Sequence, residues 1–407
     1  MFTTPKNYKS SLGFKISILA LGSIATMCTG LIAPALPKIA REYSHLPHYQ
    51  LLTKFVITMP HFMVLFLTPF LGFLTDKFNR KYLLCGAVLV YGVAGAACAF
   101  VNNLYIIIGM RAILGVCMST ALVVTATLIA DCLKGDERSM IMGLQTTFFS
   151  IATTTMYGLG GIVADINWHY CFLLYLLPTI MVPFGWKHLY EPRNNSDYMA
   201  HKESEITDVK HVKQNNAAIA SIYVIAFTFM IMQYMIPLQI PFLLDEMGLN
   251  SKQISLFLMA DVTAVAIFAS RYKKWKKNRS FITMCTLSFA LMSLGYIIIG
   301  LASNYAIIFG ALIVCGMAMG IMMPNNGLWL TYSVGVKNRG MLFGGLSTAI
   351  YSAKSMSAIV LYPLIRYTSL RLSFVFASFT MIGIAISVLY GSEKINSDTN
   401  DAIDDIK

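Results

Sequence analysis

Long apolar segments fill most of this chain, and only short polar connectors separate them. Of the 407 residues, 57% are hydrophobic and 12% are charged, whereas a soluble globular domain carries about 25% charged residues. Apolar surface on that scale needs lipid as its solvent, and a bilayer core takes about 20 apolar residues per helix. Because backbone polar groups in lipid must pair within their own segment, the apolar segments are predicted to be helices.

The apolar segments predict an all-α membrane protein with twelve transmembrane helices in two pseudo-symmetric six-helix bundles. They are too long and too uniformly apolar for the alternating strands of a membrane barrel. The predicted domains are a first bundle at 1–187, a cytoplasmic linker at 188–215, a second bundle at 216–390 and a disordered tail at 391–407. The predicted helices lie at 14–36, 53–73, 82–101, 104–130, 139–162, 170–187, 216–240, 254–270, 281–301, 305–329, 341–364 and 372–390.

Lysine and arginine are frequent in one alternate set of connectors and sparse in the other set. Basic connectors of membrane proteins stay on the cytoplasmic side, so both termini are predicted to lie in the cytoplasm, with the chain in the cell membrane. The net charge of +12 has the same explanation, and no nucleic-acid partner is expected.

Two short patterns recur at one spacing, which indicates duplicated halves. Gly115-Val-Cys-Met recurs as Gly316-Met-Ala-Met, and Arg138-Ser-Met-Ile-Met-Gly recurs as Arg339-Gly-Met-Leu-Phe-Gly, both 201 residues later. Parallel six-helix repeats with a substrate site between them are one plan of secondary transporters.

A burst of charge follows the second apolar segment, in the run Gly72-Phe-Leu-Thr-Asp76-Lys-Phe-Asn79-Arg80-Lys81. This run resembles the signature loop of the major facilitator superfamily, G-x-L-x-D-[RK]-x-G-[RK]-[RK], which joins helices 2 and 3 in that family. The resemblance implies a conformational latch made of Gly72, Asp76, Arg80 and Lys81, with close helix packing at Gly72. Asn79 stands where the family prefers glycine, and asparagine tolerates left-handed backbone, so the turn is expected to survive in that conformation.

Helices 4 and 5 carry two further partial motifs of the same family. Arg111-Ala-Ile-Leu-Gly115 resembles R-x-x-Q-G, with Leu114 in place of glutamine. The resemblance implies a part for Arg111 in proton coupling, and the alternative is an arginine that snorkels to the outer interface. Met156-Tyr-Gly-Leu-Gly-Gly161 resembles the G-P-x-x-G-G of drug antiporters without its Gly-Pro. The whole pattern is most similar to the 12-helix efflux branch.

Three ionisable residues fall near the middle of predicted helices, namely His61, Asp261 and Lys354. Such groups are costly in lipid and usually face a cavity or a partner. We predict that Asp261, Arg111 and His61 serve proton coupling, with a satisfied packing residue as the alternative for His61. Asp261 and Lys354 are candidates for a buried ion pair, which either opens when Asp261 takes up a proton or fixes helix packing permanently.

Polar residues on the helices that line the family's central cavity complete the predicted substrate site. Cationic groups outnumber the single carboxylate near mid-helix, so we expect an anionic or zwitterionic substrate that bears a carboxylate. A drug, a carboxylate metabolite or a metallophore fits that description. The predicted substrate-binding residues are Lys354, Arg111, Asn325, Asn326, Gln145 and Gln233.

These features together predict a secondary active transporter, monomeric in the lipid bilayer, that exports its substrate in exchange for protons by alternating access. Uptake of a nutrient such as an organic acid or a sugar is the alternative transport function. A non-transporting membrane receptor or scaffold is the alternative of another class. The chain has no HExxH, P-loop or CxxC pattern, so no enzyme activity, cofactor or metal site is expected.

Overall fold

The computed structural model describes residues 11–133, 135–191, 216–277, 279–333 and 339–390. Within these residues the regular structure is entirely helical. Most of the predicted linker at 188–215 and the whole predicted tail at 391–407 lie outside the described residues.

The described residues form twelve long helices, numbered α1 to α12 in chain order. The first six are α1 (Leu12–Glu42), α2 (Tyr49–Lys77), α3 (Arg80–Phe100), α4 (Leu104–Cys132), α5 (Gly135–Ile166) and α6 (Tyr170–His188). The second six are α7 (Asn216–Glu246), α8 (Ser251–Ser270), α9 (Phe281–Leu301), α10 (Tyr305–Ser333), α11 (Arg339–Tyr367) and α12 (Leu370–Tyr390). A short helix, Tyr272–Lys276, follows α8.

Four of the long helices contain interruptions. α1 consists of Leu12–Gly22, Ile24–Ile32, a 3-10 turn at Ala33–Ala35 and Leu36–Glu42, and α3 ends in a 3-10 turn at Cys98–Phe100. α6 consists of Tyr170–Leu173, a 3-10 segment at Leu174–Met181 and Val182–His188. α7 consists of Asn216–Gln233 and Met235–Glu246. Tyr234 therefore lies at the break in α7.

All twelve predicted helices are present in the structure. The largest differences are at the carboxyl ends of α1 and α7, which reach Glu42 and Glu246, six residues beyond the predicted ends. Both helices contain prolines near the predicted ends, Pro34 and Pro37 in α1 and Pro237 and Pro241 in α7. Pro34 and Pro37 occupy the first turns of new helical segments after a break in α1, where proline costs little because its missing N–H has no helical partner.

The lengths and apolarity of these helices define a membrane protein. Eleven of them are long and apolar enough to cross a bilayer. α11 has 29 residues, which is also sufficient length, and it carries the charged Lys354 near its middle. The fold is therefore all-α with twelve helices of membrane-spanning length.

The helices fall into two compact units. The first unit comprises Met1–Thr207 together with Asn250–Ser255, and the second comprises Asp208–Leu249 together with Leu256–Lys407. The first turn of α8 thus belongs to the first unit. The bundle boundaries given from the sequence stay a prediction.

The two units repeat one arrangement, with the spacing that the sequence motifs suggested. α4 and α10 both begin and end 201 residues apart. In the first unit, Gly115 of α4 lies against the backbone carbonyl of Pro60 in α2, and a Cβ atom there would have no room. In the second unit, Gly316 of α10 lies in the same way against the carbonyl of Asp261 in α8. Asp261 thus occupies the position that Pro60 holds in the first unit.

Candidate functional site

The buried carboxyl group of Asp261 is the centre of a polar cluster in the second unit. Asp261 is only 5% exposed, and its side chain forms a hydrogen bond with the side chain of Gln233 in α7. Oδ1 of Asp261 and Oε1 of Gln233 have no hydrogen-bond partner among the described residues. The bond that does form therefore runs from the Gln233 amide nitrogen, as donor, to the other oxygen of Asp261.

Two uncharged buried residues lie in the neighbourhood of Asp261. Tyr296 of α9 and Cys315 of α10 are both buried and lie close enough to interact with it electrostatically. The Tyr296 hydroxyl donates a hydrogen bond to the backbone carbonyl of Met232 in α7. Of these neighbours, only the Gln233 amide forms a hydrogen bond with the carboxyl group.

Lys354 of α11 lies beside the break in α7. Its ammonium group is 5.7 Å from the ring centroid of Tyr234 and 5.0 Å from the ring centroid of Tyr351. Within that range the electron-rich ring faces attract a cation. Two consecutive residues of α7 therefore contact the two ionisable groups, since Gln233 contacts Asp261 and Tyr234 contacts Lys354.

The ion pair suggested between Asp261 and Lys354 is not among the ion pairs that the described residues form. The physical reason is that each charge has another partner. The amide of Gln233 forms a hydrogen bond with the carboxyl group of Asp261, and two tyrosine rings contact the ammonium group of Lys354. Each charge can thus exchange its ligand without the cost of breaking a buried salt bridge.

The two predicted asparagines of α10 have different surroundings. Asn325 donates to the Phe281 carbonyl (3.1 Å) and to Cys285 Sγ (3.1 Å), and its Oδ1 accepts from the Tyr272 hydroxyl (2.7 Å). Asn326 is also buried, but its Oδ1 has no hydrogen-bond partner among the described residues. The contacts of Asn325 favour a packing role, whereas Asn326 keeps an acceptor for a ligand.

Arg111 is fully buried in the first unit and joins four helices. Its Nε donates to the Val56 carbonyl of α2 (2.6 Å), and a terminal nitrogen donates to the Cys28 carbonyl of α1 (3.1 Å). The other terminal nitrogen donates to the Tyr175 hydroxyl of α6. The snorkelling alternative is wrong, because Arg111 is 0% exposed. Its coupling and substrate roles stay predictions, and these neutral acceptors favour a structural role.

A buried polar face of α2 contains His61 together with a lysine that sequence analysis missed. Nδ1 of His61 lies 3.1 Å from the Ile57 carbonyl. Lys54 and Thr58 are also buried, and their spacing from His61 places all three on one face of the helix. The sequence feature that could have indicated this residue is its place just inside the predicted helix at 53–73. A lysine there normally reaches the membrane interface.

α5 contributes a half-buried Gln145 and an aspartate that sequence analysis did not single out. In the first unit, Asp165 accepts hydrogen bonds from the backbone N–H groups of Ser251 (2.9 Å) and Lys252 (3.3 Å). Its Oδ1 also lies 3.3 Å from Lys38 Nζ. Asp165 therefore caps the beginning of α8, where a negative charge is favourable. Gln145 stays a predicted substrate contact.

Arg80 and Lys81, two members of the predicted latch, make specific contacts within the first unit. The Arg80 guanidinium donates to the Asp131 carboxylate at the end of α4, and the Arg80 backbone N–H donates to Glu191 Oε2 (2.6 Å). The Lys81 ammonium lies 5.3 Å from the ring centroid of Trp186. These contacts fix the start of α3, and their latch function stays a prediction.

The turn before α3 differs from the expectation at two positions. Asn79 is not left-handed, since its φ is −67° and its ψ is 119°. It caps α3 instead, because its Oδ1 accepts from the N–H groups of Lys81 (3.0 Å) and Tyr82 (3.4 Å), which needs extended backbone. Gly72 makes no close helix contact with the described residues, since a Cβ there meets no atom within 4 Å. The Asp76 side chain lies outside the described part.

The all-helical fold agrees with a comparison of families. A sequence family described as the Major Facilitator Superfamily matches residues 18–358, most of the chain. This chain belongs to the major facilitator superfamily. It is therefore a multi-pass membrane protein of a transporter family, whose members bind small-molecule substrates and usually work as monomers.

Two curated relatives match part of the chain. Over 163 residues it is 28% identical to the niacin transporter NiaP of Acinetobacter baylyi, a match that covers 38% of this chain and 35% of that protein. Over 180 residues it is 26% identical to the MFS-type efflux transporter phmH of Phaeosphaeria nodorum, covering 43% of this chain and 28% of that protein. The matched part thus spans about a third of the length of these relatives.

Solved structures of transporters share the fold over nearly the whole chain. The nucleoside transporter NupG has a TM-score of 0.74 at 11% identity, with 93% of this chain and 99% of that chain covered. A D-xylose-proton symporter has a TM-score of 0.71 at 14% identity, with 92% and 97% covered. At these identities the likeness shows the fold alone.

Proposed function

We propose that this chain is a proton-coupled exporter of a small anionic or zwitterionic organic molecule, working by alternating access. The observation that carries the proposal is the pair formed by Asp261 and Gln233. Its carboxyl group is buried near the middle of α8 and has one oxygen without a partner among the described residues. Such a group suits reversible uptake of a proton, because buried charge is costly and protonation removes it.

The geometry of the pair favours a proton that both residues share. Oδ1 of Asp261 and Oε1 of Gln233 are both acceptors, and both lack a partner among the described residues. When Asp261 Oδ1 is protonated, its O–H can donate a hydrogen bond to Oε1 of Gln233. Together with the hydrogen bond from the Gln233 amide nitrogen to the other carboxyl oxygen, this forms a cyclic acid–amide pair. Protonation thus exchanges a buried charge for a second hydrogen bond, which lowers the cost of neutralising the site.

The positive groups support an anionic substrate. The Lys354 ammonium lies over two tyrosine rings, which leave its hydrogen-bond donors without an anionic partner in the contacts described. A carboxylate of the substrate would supply that partner through a charge-assisted bond. A zwitterion would in addition place its amine near Asp261. Drugs, carboxylate metabolites and carboxylate metallophores meet these requirements.

The proposed direction of transport is supported by a sequence motif and by a relative. The motif in α5 resembles the efflux branch, and one relative is an efflux transporter. Uptake is the second candidate, because another relative is a niacin transporter and niacin is itself a carboxylate. The proposed location is the cell membrane with both termini in the cytoplasm, and neither a nucleic acid nor a scaffold function is part of the proposal.

Untargeted metabolite analysis of cells and medium tests the direction and identifies the cargo. Cells that lack the gene are compared with cells that carry it and with cells that carry the Lys354→Glu variant. We expect a carboxylate compound that accumulates inside the deficient cells, falls in their medium and is not restored by the variant. A compound that stays in the medium and is depleted inside would make the chain an importer and contradict the proposal.

A further inference from the structure

Five exposed basic residues lie together in the connector between α8 and α9, and we call them the basic segment. They are Arg271, Lys273, Lys274, Lys277 and Arg279. The sequence contains no aspartate or glutamate from residue 262 to residue 392. None of the ion pairs formed by described residues includes a member of the segment. The second unit thus concentrates positive charge at one place without nearby carboxylates in its sequence.

Buried aromatic residues hold the basic segment in place. Tyr272 is buried, and its hydroxyl donates to Asn325 in α10 (2.7 Å). Burial raises the pKa of the Tyr272 phenol, so the hydroxyl stays a donor. Trp275 packs against the cluster of Tyr272, Met284 and Ile321, and its ring centroid is 6.0 Å from that of Phe268. The short helix therefore has one anchored side and an exposed, basic side.

The flanking helices place the segment at the surface of the bilayer. α8 ends at Ser270 and α9 begins at Phe281, and both are long and apolar enough to cross a membrane. Lys276 bridges the turn, with its ammonium 3.7 Å from the Phe281 ring centroid. A connector of this length stays near the ends of its two helices, so its exposed cations lie at the depth of lipid headgroups.

We propose that the basic segment binds the headgroups of anionic phospholipids in the adjacent leaflet. Four to eight basic residues next to a transmembrane helix attract anionic lipid, with a contribution from each residue near the surface. An anchored helix also presents these charges without first ordering a loop. The proposal concerns a surface of the second unit and does not depend on the transported substrate.

One competing occupant comes from the chain itself. The sequence beyond residue 392 carries Glu393, Asp398, Asp401, Asp404 and Asp405, which lie outside the described residues. The lipid is favoured because the segment meets the bilayer surface directly and a membrane supplies headgroups at high local concentration. Occupation of the basic segment by this acidic stretch would be a separate outcome, distinguishable by experiment.

Tryptophan quenching by brominated lipid tests the proposal on the full-length chain. The protein is placed in phosphatidylcholine nanodiscs that contain brominated phosphatidylglycerol or, at the same mole fraction, brominated phosphatidylcholine. The difference in quenching between the parent protein and the Trp275→Phe variant measures the quenching of Trp275 alone, and thus the lipid next to the basic segment. We expect stronger quenching by the anionic lipid, and an enrichment that falls on the order of fivefold for each lysine removed in Lys273→Gln/Lys274→Gln.

The matched control is Lys77→Gln/Lys187→Gln, which removes two exposed lysines at the carboxyl ends of α2 and α6. It changes net charge equally and should keep the preference for anionic lipid at Trp275. Equal quenching by the two lipids, or equal loss in both double variants, would overturn the proposal. A preference that emerges only after Asp398, Asp401, Asp404 and Asp405 are changed to asparagine would also overturn it, because the acidic stretch would then be the natural occupant.

Discussion

At the scale of single residues, two adjacent residues at the break in α7 contact an acid and a base separately. Gln233 binds Asp261, while Tyr234, the next residue, contacts Lys354. Because the two charges do not pair, neither protonation of the acid nor binding of an anion to the base requires a salt bridge between them to break. A transporter that couples proton movement to substrate movement must bind both a proton and a substrate. Separate sites for the proton and the anion are consistent with the proposed exchange.

Reversing the charge of Lys354 tests the anion-binding part of the account. Lys354→Glu should reduce transport of a carboxylate substrate by about tenfold or more, because a charge-assisted bond is lost and repulsion is added. Lys354→Arg keeps the charge and should retain most of the transport. Uptake and efflux rates of the labelled substrate in proteoliposomes measure the effect. Unchanged transport by Lys354→Glu would show that the substrate does not bind there.

Residue identity alone did not distinguish binding residues from packing residues. The sequence placed Asn325 and Asn326 side by side as ligand candidates, but Tyr272 and the Phe281 carbonyl use the polar groups of the first. Those partners come from other helices, and sequence spacing does not show which face of α10 they contact. Arg111 gives the same lesson, because two of its partners are backbone carbonyl groups, which carry no sequence signal.

At the scale of helices, the sequence predicted most of the fold because apolar length and period fix membrane helices closely. The predicted bounds of α9, 281–301, agree with the structure at both ends. At α1 and α7 the helices continue six residues beyond the predicted ends. In α1 the prolines near the predicted end lie in the first turns of new helical segments and do not end the helix. The repeat spacing of 201 residues predicted a duplicated plan, and the glycine contacts of the two units have that spacing.

Two glycine positions test whether close helix contacts hold each unit together. In Gly115→Ala and Gly316→Ala the new methyl group meets a backbone carbonyl of the neighbouring helix. Each substitution should destabilise the protein by about 1–3 kcal/mol, the usual cost of overpacking. Thermal unfolding followed with a thiol-reactive dye measures this, since all eight cysteines are buried.

The same helices supply matched controls for these substitutions. Gly109 and Gly310 lie in α4 and α10, and a Cβ at either position meets no atom within 4 Å. Gly109→Ala and Gly310→Ala should leave stability unchanged or raise it by about 1 kcal/mol, because alanine is the better helix former. If all four variants unfolded alike, close packing at Gly115 and Gly316 would not be what stabilises the units.

At the scale of the whole molecule, the central claim is that the Asp261–Gln233 pair carries the coupled proton. The acid lies at the position that Pro60 holds in the other unit. The close glycine contact is therefore repeated in both units, whereas the carboxyl group is present in only one of them. A carboxyl group present in one unit and absent at the matching position of the other marks the second unit as the proposed proton carrier. The sequence showed the acid, and only the structure showed the amide beside it.

The most direct measurement of this claim is proton movement during transport in proteoliposomes with an internal pH dye, using the compound identified by metabolite analysis. We predict that substrate transport moves protons in the parent protein and in Glu246→Gln, which changes an exposed carboxylate at the end of α7. Asp261→Asn should lose the proton movement while exchange of substrate for substrate continues. Proton movement that persists in Asp261→Asn would contradict the account.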